Sequence, residues 1–166
     1  VEEIVWTCGG PAQAPFPASG VALSCAGKTM AECGGGGPAH GVMNKVEVRS
    51  GLQIAYEDHW FGEPWLTPEP VVMIHGNAES SKAWNRWVPH LAGQYRVIRP
   101  DMPGFGASPE PQGYGWTVGE LAADIGNFLN ALGIEKCHLI GAKYGGSACM
   151  KFATQQPRRL PQAGRS

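Results

Sequence analysis

The chain has almost no net charge to offer a partner. Its 13 Lys and Arg stand against 14 Asp and Glu, a formal charge of −1 at pH 7, which lacks the electrostatic footprint of a nucleic-acid or anionic-membrane binder. It also lacks an apolar run of roughly 18 residues, the length a membrane-spanning helix needs. The first residues, VEEIVW, are acidic where a secretory signal would be basic ahead of a long apolar stretch. None of the five cysteines (Cys8, Cys25, Cys33, Cys137, Cys149) belongs to a C-x-x-C pair. An odd count in a chain of this size points to reduced thiols in a reducing, cytoplasmic setting. Cys8, Cys25, Cys33 and His40 fit no common zinc spacing, so no metal is expected, and no cofactor either.

Charge is scarcest in residues 1–42, which are rich in Gly, Ala and Pro and end in CGGGGPAHG. A segment with so few large apolar side chains cannot bury enough surface to offset its ordering entropy. We expect a disordered leader over 1–42, a folded core over 43–160 that opens MNKVEVRSGLQIAYED, and a disordered tail over 161–166.

From Met43 onward the pattern is that of an α/β domain. KVEVR (45–49) alternates apolar and polar, and Ser50-Gly51 turns it into LQIAY (52–56), a hairpin signal. Asp58 to Pro70, with Gly62, Pro64 and Pro68, reads as a loop. VVMI (71–74), YRVI (95–98) and CHLI (137–140) are short, continuously apolar runs of the kind buried parallel strands show. Trp84, Trp87, Val88 and Leu91 recur at helical spacing between the first two. Between the second and third, Thr117 and Glu120 form a T-x-x-E capping box. Val118, Leu121, Ile125, Phe128, Leu129 and Leu132 supply the apolar face, and Gly133 the stop. A further helix is expected over 144–156. Strands alternating with helices at this spacing predict a mostly parallel sheet with covering helices.

Each apolar run feeds a loop that carries chemistry-bearing residues. VVMI leads into His75-Gly76-Asn77-Ala78-Glu79-Ser80-Ser81. YRVI leads, after Arg99-Pro100, into Asp101-Met102-Pro103-Gly104-Phe105-Gly106-Ala107-Ser108. CHLI leads into Gly141-Ala142-Lys143-Tyr144-Gly145-Gly146. Loops at the carboxyl ends of parallel strands are the usual place for a site. With serine at position 143, the third loop would read G-x-S-x-G, the sharp strand-to-helix turn that presents a hydrolase nucleophile.

In order and spacing these loops resemble the α/β-hydrolase superfamily, from about Lys45 to Arg159, the first half of that fold through the elbow helix. The resemblance implies a partial α/β-hydrolase sheet, truncated after that helix. It implies oxyanion-hole amides at Asn77, beside Gly76, and at Tyr144. It makes the Asp101–Ser108 loop a pocket floor, with His75, Asp101 and Phe105 at the pocket edge, and places Lys143 at the nucleophile position. The HGN triplet also resembles haloalkane dehalogenases, while an esterase- or lactonase-like ancestor fits equally.

Lysine at that position is open to three readings. It is a depressed-pKa amine that forms a Schiff base, a general base or anion-binding group, or the mark of a lost nucleophile. Its ammonium faces a helix N-terminus that disfavours positive charge, so a lowered pKa is expected. Ser147 lies one turn into the helix and points off the elbow. In the family the triad acid and histidine follow the nucleophile in the chain, yet His59, His75, His90 and His138 all precede Lys143. We therefore expect weak or absent hydrolysis of small esters or lactones, or else a non-catalytic small-molecule binder. The strand before the elbow is expected to have one unpaired edge, through which the chain could self-associate.

Overall fold

A computed structural model describes the backbone of Val5–Cys8 and the chain over residues 43–161. Six strands, β1 (Val5–Cys8), β2 (Asn44–Arg49), β3 (Leu52–His59), β4 (Glu69–Ile74), β5 (Tyr95–Pro100) and β6 (His138–Ala142), form one sheet in the order β1-β6-β4-β5-β3-β2. The central strand β4 runs parallel to both β5 and β6, and the outer pairs are antiparallel. Helices α1 (Val88–Leu91), α2 (Val118–Ala131) and α3 (Lys143–Gln155) complete the domain.

The apolar run VVMI is buried on both sides because strand side chains alternate between faces. Val72 and Ile74 pack with Ile54, Ile98 and Leu139 against α2 and α3, through Leu121, Ile125, Phe128, Leu129 and Phe152. Val71 and Met73 point the other way and join Val97 and Ile140 against Trp84 and Val88. The sheet is thus covered on both faces, as the continuous apolar runs require.

Helix α2 starts and stops where the sequence places the signals. Thr117 Oγ1 accepts the Glu120 amide at 3.1 Å. The Glu120 carboxylate reaches further back than a capping box would take it, accepting the Gly115 amide at 2.8 Å. At the other end Gly133 turns left-handed (φ 66°). The Ile134 amide donates to Leu129 O and the Gly133 amide to Asn130 O, the paired bonds of a Schellman stop.

Several expectations are corrected. The positions from Trp84 to Leu91 do not share one helix: a 3₁₀ turn covers Ser81–Trp84 and a single α-turn covers Val88–Leu91. Pro89, in the first turn of α1, has no amide to extend a ladder backward. Strand β3 continues to His59, into the expected loop, because Tyr56–His59 pair with β5 and Asp58 grips Arg96 with both carboxylate oxygens. Asp124 belongs to α2. It is buried, accepts from Tyr114 Oη at 2.8 Å, and pairs with Arg49 Nε at 2.9 Å. His138 in β6 is part-exposed, bonds Glu69 at 2.9 Å and packs edge-on against the Tyr95 ring, with centroids 5.5 Å apart. The edge of β6 expected to be open carries Val5–Cys8, paired antiparallel with Leu139–Ala142. The rest of the expected leader, with Cys25, Cys33 and His40, and the tail beyond 161 lie outside the described residues.

Thr117→Ala removes the acceptor of the Glu120 amide and should cost about 1 kcal/mol of stability. A denaturant titration reads this as a lower midpoint at unchanged slope; an unmoved midpoint would show that the cap contributes nothing.

Candidate functional site at the strand-to-helix elbow

The loops at the carboxyl ends of β4, β5 and β6 meet at one end of the sheet. Strand β6 passes into α3 with no residue between Ala142 and Lys143. Lys143 sits at the apex in the left-handed region (φ 50°), unusual for a residue with a Cβ and a mark of local strain. Glycines make the turn possible. A Cβ at Gly141 would lie 2.6 Å from Cys149 Sγ and 2.8 Å from Gly145 O. One at Gly145 would lie 2.2 Å from His75 O. Strand β6, helix α3 and the end of β4 are therefore in backbone contact.

His75 joins the first two loops. Its ring is fully buried, Nε2 accepts the Met102 amide at 2.9 Å, and Nδ1 lies 2.8 Å from Gly76 O. An accepting Nε2 requires the hydrogen on Nδ1, so the neutral ring donates to Gly76 O. Burial pushes its pKa below the usual histidine value. Both nitrogens are engaged, which leaves neither to serve as a base. Asp101, also buried, accepts the amides of Ser81 at 2.6 Å and Ala107 at 2.8 Å. Its carboxylate presses on Gly106, where a Cβ would fall 2.1 Å away. Asp101 thus braces two loops. It also lines a small apolar cavity of about 20 Å³ with Ile74, Met102 and Ile125. Phe105 stands edge-on between the His75 and Trp116 rings, with centroids 5.7 Å from each.

Lys143 is not a bare ammonium at a helix end. Its Nζ forms an ion pair with Glu79 Oε1, while Glu79 Oε2 accepts the Gly76 amide at 2.9 Å. The hydrogen bond from Lys143 holds the Glu79 carboxyl below the usual carboxylate range. A neighbouring carboxylate favours the charged ammonium, so the effect expected of the helix terminus has an opponent that the sequence reading lacked. Asn77 is exposed beside buried Gly76, and Tyr144 donates its hydroxyl to Trp116 O. Of the residues singled out from sequence, His75, Gly76, Lys143 and Tyr144 come together through these contacts. Glu79 and Trp116 were missed, although a carboxylate within the His-Gly loop is visible in the sequence. Among the described residues no group of three His, Cys, Asp or Glu is placed to hold a metal ion.

A family model of the α/β hydrolase fold matches residues 69–162, more than half of the chain. The chain belongs to the α/β-hydrolase family. An uncharacterized hydrolase of Saccharomyces cerevisiae is 31% identical over 118 residues, covering 70% of this chain and 39% of the yeast protein. A 2-hydroxy-6-oxo-2,4-heptadienoate hydrolase of Pseudomonas putida is 36% identical over 94 residues, covering 55% of this chain and 34% of that enzyme. A meta-cleavage product hydrolase of Pseudomonas fluorescens, solved with acetates, superposes with a TM-score of 0.63 at 30% identity, covering 73% of this chain and 43% of that one. The chain thus spans roughly a third to two fifths of its curated relatives' length. Among the described residues no helix is long and apolar enough to cross a membrane.

The elbow contact predicts a steep cost for any side chain at Gly145. Gly145→Ala should lose about 1–3 kcal/mol by overpacking against His75 O. Gly93→Ala, where an added Cβ meets nothing within 4 Å, should be near neutral by the same denaturant titration. Equal, small effects at both positions would mean that the elbow is looser than described.

Proposed function

We propose that this chain presents a hydrolase-type pocket for a small acyl or carbonyl compound and does not itself turn over esters. The observation that carries the reading is the apex of the elbow. Lys143, at the position the family gives to its nucleophile, is paired to the Glu79 carboxylate, which favours its ammonium form. An ammonium is no nucleophile. A deprotonated amine, as Schiff-base chemistry needs, is opposed by the adjacent carboxylate. The described histidines with assigned contacts are committed elsewhere. His75 is locked between Gly76 and Met102, His59 sits on Glu57 and Arg99, and His138 bonds Glu69. In this reading Gly76, Asn77 and Tyr144 form the polar rim, and Asp101 and Phe105 its floor.

The relatives support a small carbonyl compound as the occupant. The Pseudomonas putida enzyme is named for an oxo acid, and the Pseudomonas fluorescens structure holds acetates. The near-neutral charge of the chain fits a small ligand better than nucleic acid or a membrane surface, and a cytoplasmic setting goes with that reading.

Hydrolysis of p-nitrophenyl acetate tests the proposal. Wild type and Lys143→Ala should turn over at rates within about twofold of each other, and Lys143→Ser should gain little, since a hydroxyl without a base loses several powers of ten in rate. Wild-type turnover well above the Lys143→Ala control would overturn the proposal, as would strong esterase activity in Lys143→Ser.

A further inference from the structure

The Glu79 side chain is held in the way a bound carboxylate would be. One oxygen takes the Gly76 amide at 2.9 Å and the other takes the Lys143 ammonium. A backbone donor and a cation thus converge on two oxygens of one carboxylate, the charge-assisted arrangement that gives strong hydrogen bonds. The seat is shaped for it. A Cβ at Gly76 would lie 2.8 Å from Glu79 Oε2 and 2.8 Å from Lys143 Cδ, so the carboxylate and the lysine stem lie against a bare α-carbon that no other residue type could supply.

Glu79 reaches this seat by a constrained route. It lies three residues after Gly76, and Ala78 between them is turned left-handed (φ 59°), a conformation that an L residue adopts only against its steric preference. The seat is also within reach of solvent, since the Lys143 side chain is 53% exposed and that of Glu79 25%. The other acid nearby, Asp101, is buried and committed to the amides of Ser81 and Ala107, so it does not compete for Lys143.

We infer that Gly76 N–H and the Lys143 ammonium form a subsite for a small monocarboxylate, and that Glu79 fills it from within as a tethered competitor. A free carboxylate binds when Glu79 gives way, replacing its two oxygens one for one. Because Glu79 is held on the same loop, its effective concentration is high, and wild-type affinity for a free carboxylate is correspondingly low. The inference rests on the reading of Lys143 as a paired group rather than a reacting one. Ester turnover by the wild type would remove that reading, while a binding experiment judges the subsite separately.

Acetate is the probe, added to the full chain at constant ionic strength with chloride as the balancing salt, and the Gly76 amide is followed by ¹⁵N–¹H NMR. Glu79→Ala should bind acetate at least about tenfold more tightly than wild type, and Glu79→Ala with Lys143→Met should lose at least about tenfold of that gain. Should Glu79→Ala fail to fold, Glu79→Ser carries the same expectation, since its short polar side chain also vacates the seat beside Gly76 and Lys143. Two results would overturn the inference. In one, the folded Glu79 variants bind acetate no more tightly than wild type; in the other, the response persists undiminished without Lys143.

Discussion

The closeness of β6 to the helix that follows it governs everything at this site. No loop separates Ala142 from Lys143, so the chain must reverse within the space of one residue, and the residue at the apex must accept a left-handed φ of 50°. Bare α-carbons at Gly141 and Gly145 let strand and helix approach to backbone contact. Once that approach is made, the side chain at 143 has no choice but to stand at the helix N-terminus, facing the loop after β4. Glu79 is there to meet it. The pairing follows from backbone geometry first and from charge second.

A second layer of interactions holds the loops that face the elbow. His75 links the first loop to Met102, and Asp101 reaches back from the second loop to Ser81. Ser108 Oγ donates to Asp101 O and accepts the Ala55 amide, tying the floor to β3. These are buried polar groups with their partners in place, the condition under which such networks rigidify a site. Farther out, buried Arg99 bonds Glu57, Asn85 and the Ser81 carbonyl, joining β3, β5 and the 3₁₀ turn. His75 and Asp101 thus work as braces, which is why neither offers a free proton acceptor to the elbow.

What the sequence showed in advance was local. VVMI read as a doubly buried strand, Thr117 and Glu120 as a helix start, Gly133 as its stop, and the glycines around Lys143 as an elbow, because each signal is decided within a few residues. The family and the α/β architecture followed from the order of such signals. Long-range pairing was not legible. The burial of Asp124 depends on Arg49 and Tyr114 closing over it, and the length of β3 depends on Arg96 lying opposite Asp58. For the same reason Lys143 looked like an isolated ammonium: its partner lies 64 residues earlier, and only the packing of β4 beside β6 brings the two together. The helical spacing of Trp84, Trp87, Val88 and Leu91 misled because two separate turns can reproduce it, with Trp84 and Val88 buried and Trp87 exposed.

The ion pair at the apex is the claim on which the account stands, and the titration of Glu79 measures it directly. The bond from Lys143 holds the Glu79 carboxyl below its ordinary value. The stabilisation it gives is therefore present at neutral pH and is lost as pH falls through that depressed value. Carbon-detected NMR of the Glu79 side-chain carboxyl should show a midpoint below the roughly 4.3 of a free glutamate, and Lys143→Met should move that midpoint upward. A Glu79 that titrates in the ordinary range in wild type, and does not move when Lys143 is replaced, would contradict the account.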